Sequence, residues 1–303
     1  ASRQQRCMEK ISDPYTIQYQ QIVALADSEG ESVELIECFD CIGGAMWAQH
    51  HYRKSPLVRS VRTVGSQSRY LLCPGTVALD LQGSRFPAGI SSVAVDDEEI
   101  SVSYIGMGGG GVGASICRAS SPGVLRCRYD PSGGGKEAGS TLWLPRRERV
   151  LIGVDDTDTP EEGATWTLAH NIARAVEDAS SRYLSHTIVQ LYPVKFRTKN
   201  CVSTVVEFAS SDPEGLTRRY HRLLEKYTLS DKTGMAVYRG FDPESLMSYA
   251  RSVKMGEIGG DALPSGDSNL EIVMDGRGII GAVAAIPFYC NFTEALEVWS
   301  GGR

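Results

Sequence analysis

The sequence holds no apolar run near the ~20 residues that a helix needs to cross a bilayer; the longest candidate is residues 279–288. The N-terminus has no secretory h-region, and the chain opens at Ala1, as a processed or trimmed start would. A soluble, cytoplasmic protein with no membrane partner is therefore expected. A basic excess is missing too. Residues 1–149 carry 16 Lys/Arg and 16 Asp/Glu, and residues 150–303 carry 15 and 21, so the second half holds the whole formal charge of −6. Nonspecific nucleic-acid binding draws on many Lys/Arg contacts to phosphate, so nucleic acid is not the expected partner unless a local patch exists.

The cysteines Cys7, Cys38, Cys41, Cys73, Cys117, Cys127, Cys201 and Cys290 are scattered through a chain too long to need staples, so reduced thiols are expected. Cys38 and Cys41 form a C-x-x-C followed by His50 and His51, a composition that could ligate zinc. A second C-x-x-C is lacking and adjacent histidines rarely reach one metal, so two unlinked thiols are the favoured reading. No Ser/His/Asp or Cys/His nucleophile grammar appears, and His170 and His186 read as ordinary helix and strand residues. Cys201 reads as a small buried thiol.

What is present is enough for a fold. Of 303 residues, 42% are hydrophobic and 22% charged, which excludes wholesale disorder and favours two domains. Residues 1–149 read as short strands at 17–25, 33–38, 76–81, 99–105, 123–127 and 140–144, with little helical periodicity. The second half alternates strand and helix. Residues 150–154 suit a buried strand, and Ala169, Ile172, Ala173 and Val176 share one helical face. Further strands are expected at 186–192 and 202–208. Asp212-Pro213-Glu214 opens a helix by cap and first-turn proline, Asp242-Pro243-Glu244 opens another, and Gly256 is placed to end it. Residues 145–149, Pro-Arg-Arg-Glu-Arg, read as a charged linker between a β-rich domain 1–149 and a domain 150–303. The expected class is α+β: a β-rich N-terminal half with a glycine-rich loop, plus an α/β C-terminal half.

The sharpest motif follows the 150–154 strand: Gly153-Val154-Asp155-Asp156-Thr157-Asp158-Thr159-Pro160. Three carboxylates in four residues repel one another unless water or a cation intervenes, and Mg²⁺ favours one or two carboxylates with phosphate oxygens and water. A solvated turn capped by Thr159 and Glu162 is the competing reading. Gly163, Ala164 and Thr165 then lead into a helix start that could receive an anion. Lys195, Arg197 and Lys199 with Asn200 place cations between two strands, where they would meet phosphate or form a solvated strand edge.

These residues, with Pro193, Phe196-Arg197-Thr198-Lys199-Asn200, Thr233-Gly234-Met235 and the run from Gly276 to Ile286, resemble the ATP-dependent kinase domain of the archaeal agmatinylcytidine synthetases, which modify an isoleucine tRNA. The blocks recur in the same order over residues 150–290. The resemblance implies that Asp155, Asp156 and Asp158 are metal-binding and catalytic, with ATP and Mg as cofactors. Glu162, Ala164 and Trp166 depart from the family pattern. No segment resembles that family's OB-fold or zinc ribbon, so its tRNA substrate is not carried over. The whole chain, including Asp40-Cys41-Ile42-Gly43-Gly44-Ala45, the block from Gly83 to Ile90 and the block from Gly106 to Ala114, is similar to methanogenesis marker protein 11.

Gly106, Gly108, Gly109, Gly110, Gly111 and Gly113 follow a strand and could form a phosphate-cradling nest; no Gly-Lys-Ser/Thr closes them, so they are not a Walker A loop. Arg85 and Arg118 could lend charge to this loop, although solvated surface arginines are the simpler reading. Gly133-Gly134-Gly135-Lys136 reads as a linker.

The expected function is an ATP- and Mg-dependent phosphotransferase or ATPase serving methanogenesis, acting on a coenzyme or in methyl-coenzyme M reductase modification or activation. In it Asp155, Asp156 and Asp158 are catalytic and metal-binding. Thr157, Thr159, Gly163, Thr165, Arg197, Lys199, Asn200 and the glycine loop hold the nucleotide. A non-catalytic nucleotide-binding accessory or assembly protein is the alternative. Partners would be the nucleotide, an acceptor, a methanogenic protein and a second copy of the chain.

Overall fold

The structure is a computed structural model, and it describes residues 11–131, 135–195, 200–257, 263–264 and 266–298. The chain divides into two compact units, residues 1–146 and 147–303. Both mix strands with helices, so the class is α+β. Among the described residues no helix is long and apolar enough to cross a membrane.

In the first unit, β1 (Gln21–Ala26), β2 (Val33–Cys38), β3 (Val58–Val64) and β4 (Gln67–Leu72) pair antiparallel in the order β3-β4-β2-β1. A second antiparallel set is β5 (Gly75–Thr76), β6 (Ala88–Val95), β7 (Glu99–Met107) and the first part of β9 (Glu137–Asp155). The short β8 (Arg126–Tyr129) also pairs with β9. Inward residues alternate along these strands, as in Ile100, Val102 and Tyr104 opposite Leu142 and Leu144, and they form one apolar core. That core is closed by α1 (Ile42–Tyr52), a helix that periodicity did not announce because its buried face is Ala45, Ala48, Gln49, His51 and Tyr52. Small and polar residues make that face, so no apolar stripe marks it. The 76–81 strand shrinks to two residues.

The glycine run does not remain an open loop. Strand β7 carries through Met107, Gly108 turns at φ +56, and residues Gly109–Ala114 wind into the short helix α2, followed by α3 (Ile116–Ala119). A Cβ on Gly106 would lie 2.6 Å from the Gly110 carbonyl oxygen, so the turn closes on its own backbone.

The charged stretch 145–149 is no linker: β9 runs through it unbroken. Each arginine finds a partner that stabilises the extended conformation. Arg146 donates to the carbonyls of Asp27 and Asp96, Arg147 to those of Ala179 and Ala209, and Arg149 pairs with Glu207 at 3.0 Å. Charge composition alone suggested a linker; pairing of the arginines overrode it.

In the second unit the order is β10 (Ser181–Gln190), β11 (Val202–Ser210), the end of β9, β12 (Gly234–Arg239) and β13 (Leu270–Asp275), with antiparallel neighbours throughout. The period of two divides β9 between two cores. Val150, Ile152 and Val154 face α4 (Thr165–Val176) and α5 (Pro213–Tyr227), where Ala169, Ile172, Leu216 and Tyr220 pack. Leu151 faces α6 (Met247–Met255) and α7 (Ile279–Ala285). Two helix ends follow the sequence signals, while Asp242, which accepts the Glu244 N–H at 3.0 Å, opens only a 3-10 turn (Glu244–Leu246) and α6 begins after it at Met247. Asp212 accepts the Gly215 N–H at 3.0 Å, and Gly256 closes α6 in the left-handed region at φ +74. A short α8 (Phe292–Leu296) follows. Helix α7 lies directly on the sheet: a Cβ on Gly153 would overlap the Ala282 carbonyl, so only glycine admits that approach.

Candidate functional site

The acidic motif leaves the sheet where β9 ends. Asp155 is the last strand residue, and Asp156 takes a left-handed φ of +54 that turns the chain away from the sheet. The turn is pinned from several sides. The Asp156 carbonyl accepts the Thr233 hydroxyl at 3.1 Å, and the Thr157 carbonyl accepts the Leu229 N–H at 2.8 Å and the Thr228 hydroxyl at 3.2 Å. The Thr157 N–H and hydroxyl both reach the Thr165 hydroxyl, at 3.2 and 3.0 Å, which ties the motif to the first residue of α4. Thr159 and Glu162 form a closed turn, with the Glu162 N–H donating to the Thr159 hydroxyl at 3.1 Å. Gly163 follows at φ +87, its bare Cα held against Asp158, whose Cβ would be 3.1 Å from an added methyl. The capping chemistry expected at Thr159 is therefore real, but it shapes the loop and does not start the helix.

Four blocks far apart in sequence meet at this loop. Asp155 Oδ1 accepts the Asp156 N–H at 2.8 Å, and its Oδ2 sits where a side chain on Gly281 would be. Gly278 lies against the Asp155 carbonyl, Gly234 against the start of α7, and Ser203 donates to the carbonyls of Val154 and Gly281 at 3.2 and 2.8 Å. Asp155 and Asp158 line a hollow of about 220 Å³ together with Thr165, Asn200, Trp166, Ile188 and Val202. Burial, and then the charges of Asp156 and Asp158, hold the Asp155 carboxyl well above the usual carboxylate range. Asp158 is itself buried. Asp156 is not part of this lining; one of its oxygens lies 3.9 Å from the Arg277 guanidinium.

This donor set suits a magnesium ion that is shared with phosphate. Two carboxylates and an amide border one hollow, and crowding of acids raises the energy of a charged Asp155, a cost that a cation would relieve. Among the described residues no group of three or more His, Cys, Asp or Glu is close enough to cage a metal on its own. Mg²⁺ does not need such a cage, because it keeps water and phosphate oxygens as ligands.

Of the other residues read from sequence, Arg197 and Lys199 lie outside the described residues. The glycines within residues 106–113 belong to the first unit. Arg118 is not a surface arginine. It is 1% exposed, forms a two-point ion pair with Glu37 at 2.7 and 2.8 Å, donates to the Tyr52 hydroxyl and the Gly113 carbonyl, and lies over the rings of Tyr19, Tyr52 and Tyr104. It anchors the glycine turn from inside. Cys38 and Cys41 are half-buried free thiols, and burial pushes Cys38 up to about 11. Trp166, Ile188 and Val202 escaped the sequence reading as lining residues. Ile188 and Val202 looked like ordinary strand positions, and Trp166 was visible only as a departure from the family pattern.

An antiparallel sheet that delivers paired aspartates into a loop packed against Gly278 and Gly281 of the α7 segment defines the class. Residues 151–217 match the TiaS TCKD domain family. The chain belongs to the same family as the uncharacterized protein MJ0921 of Methanocaldococcus jannaschii, with which it is 38% identical over 284 residues, 89% of this chain and 94% of that protein. The tRNA 2-agmatinylcytidine synthetase TiaS of Methanopyrus kandleri is 31% identical over 144 residues, 45% of this chain and 33% of the synthetase. The chain thus spans about a third of the synthetase's length. Among solved structures, a complex of TiaS with its isoleucine tRNA and ATP is 22% identical, covering 46% of this chain and 36% of that chain with a TM-score of 0.39. A complex of TiaS with the same tRNA, AMPCPP and agmatine is 21% identical with the same coverage and a TM-score of 0.35.

One expectation is overturned by these relatives. Acidity had argued against a nucleic-acid partner, yet the synthetase that matches this chain at 31% identity is named for an isoleucine tRNA. Net charge is a sum over the whole chain, whereas a nucleic acid meets a local field, so the sum has no power to exclude it.

Proposed function

We propose that the second unit binds ATP with Mg²⁺ and transfers a phosphoryl group from it. The observation that carries this reading is the meeting of Asp155 and Asp158 with Thr165 and Asn200 around one hollow, with Asp155 held above its ordinary titration range. A bound Mg²⁺ would neutralise charge on the phosphates and on the developing transition state. Asp155 and Asp158 would hold the ion, and Asn200 would donate to a phosphate oxygen. The threonine pair, Thr157 and Thr165, fixes the loop so that both carboxylates stay in position. Arg197 and Lys199 join the proposal from the sequence alone, as cations for the phosphates. Asp156, beside Arg277, would keep that guanidinium at the rim of the site.

From the sequence resemblance to methanogenesis marker protein 11 we further propose a setting in methanogenesis, with a coenzyme or methyl-coenzyme M reductase as the acceptor. A second reading of the acceptor is an RNA, which the 31% identity to a tRNA-modifying synthetase favours. Calorimetric titration of ATP with Mg²⁺ into the wild type and Asp155→Asn tests the binding step: at least a hundredfold loss in the variant is expected, and equal affinity would overturn the reading. Phosphorus NMR then follows ATP with cell extract or with bulk tRNA added in separate arms. Loss of the γ-phosphate resonance with a new phosphorylated product in one arm, beyond the inorganic phosphate formed without added protein, names the acceptor class. ATP that binds but stays intact in both arms makes the protein a nucleotide-binding accessory.

A further inference from the structure

The acidic hollow has a second, apolar end. Beside the two aspartates, Thr165 and Asn200, it is lined by Trp166, Ile188 and Val202. None of these three packs into either apolar core of the second unit. Ile188 pairs with Thr204 across β10 and β11, and Val202 pairs with Gln190, so Ile188 and Val202 are diagonal neighbours on one face of the sheet. Trp166 is the second residue of α4, whose buried face is made by Thr165, Ala169, Ile172, Ala173 and Val176. The indole therefore lies off that face, and Trp166 is 48% exposed.

Two other tryptophans show what a partnered ring looks like in this chain. Trp47 leans on His51 with centroids 4.5 Å apart, and the Arg126 guanidinium covers the Trp143 ring at 4.7 Å. Among the described residues the Trp166 indole has no ring, cation or hydrogen-bond partner. An indole left in water forgoes the stabilisation that burial would give, so packing does not explain the residue. Its place is nevertheless fixed. The neighbouring Thr165 hydroxyl accepts the N–H and hydroxyl of Thr157, so the acids and the indole ride on one tied segment. Depth then separates the two ends: Asp158 is buried and Asp155 half-buried, whereas Trp166 stands at the mouth. A ligand that fills both ends needs an anionic, metal-binding tail and a flat ring. A nucleoside triphosphate has both, and an aromatic side chain stacks on any base because every base has a π face.

We propose that the base of the bound nucleotide stacks on Trp166, with Ile188 and Val202 as the apolar wall beside it and the phosphates directed inward to Asp155 and Asp158. This rests on the Mg·ATP reading of the second unit and makes Trp166 its base-recognising residue. The test is calorimetric titration of the full chain with Mg·ATP and with Mg·tripolyphosphate, which carries the phosphates and no base. Trp166→Ala should weaken ATP about five- to 150-fold, the range of base–aromatic stacking, and leave tripolyphosphate within about twofold. Trp166→Phe should keep ATP within about threefold of the wild type, because a phenyl ring still offers a face. Asp155→Asn should weaken both probes. ATP affinity that survives Trp166→Ala, or equal losses of both probes in it, would overturn the stack and leave the phosphate reading standing. Unchanged binding of both probes in Asp155→Asn, or a wild type that binds neither, would overturn the phosphate reading and the stack with it. If Trp166→Ala fails to fold, the indole N–H resonance of Trp166 in the wild type, assigned through Trp166→Phe, decides. A shift with ATP and none with tripolyphosphate supports the stack, and any other pattern overturns it.

Discussion

Two glycine-bearing strand ends in this chain obey the same local grammar and have opposite fates. In the first unit β7 runs into Gly106–Gly113, and the turn is filled from within by Arg118, whose charge is paired with Glu37. In the second unit β9 runs into Asp155–Gly163, and the turn is held by hydroxyls and backbone while its carboxylates are left crowded around a hollow. One turn closes on a buried two-point ion pair; the other gathers three aspartates, with Arg277 3.9 Å from Asp156 and the Asp155 carboxyl held above its ordinary range. A paired buried charge supports a structural role, whereas a carboxyl perturbed beside a hollow marks a candidate site.

That contrast can be broken experimentally. Arg118→Met strands Glu37 in the core, so the first unit should lose about 3–5 kcal/mol in urea denaturation. Adding Glu37→Leu should restore most of it, and a double variant as weak as the single one would show that the pair is not the anchor. A second test concerns His186, which burial, aided by His170, lowers to about 4. The unfolded ring takes a proton near 6.5 and the folded ring does not, so stability is fully present above about pH 6.5 and falls as pH drops toward 4. The loss should reach on the order of 1–3 kcal/mol in the wild type and flatten in His186→Gln; parallel pH profiles would count against it.

At the acidic end the sign reverses. Asp155 is raised, so its charged form costs stability as pH rises above the ordinary aspartate range. Asp155→Asn should therefore raise the melting temperature of the ligand-free protein at neutral pH while abolishing Mg·ATP binding. A lower melting temperature in the variant would mean that Asp155 is a structural residue like Arg118. The smallest effect is expected at Thr159, where loss of the hydroxyl in Thr159→Ala removes both of its turn hydrogen bonds to the Glu162 backbone and about 1 kcal/mol. Urea midpoints that do not move would show that Gly163 alone shapes the loop.

Much of the second unit was readable because its signals are local. Asp212-Pro213 specifies a helix start through one side chain and one ring, and the alternation of Val150, Leu151 and Ile152 serves two cores at once. The aspartate cluster announced itself by crowding. Helix α1 was hidden because its buried face uses alanine, glutamine and histidine, and the strand through residues 145–149 was hidden because its arginines look solvated until their carbonyl and carboxylate partners arrive.

Residue order alone therefore settled the properties that depend on neighbours a few positions away: caps, strand periodicity, the density of acids after β9. Which charges are neutralised, which glycines are bare because something must approach them, and that Asp155, Asn200, Thr233 and Gly281 gather at one loop were decided by folding. Those outcomes depend on contacts between segments separated by up to 126 positions, from Asp155 to Gly281, and electrostatic energy is set by distance in space.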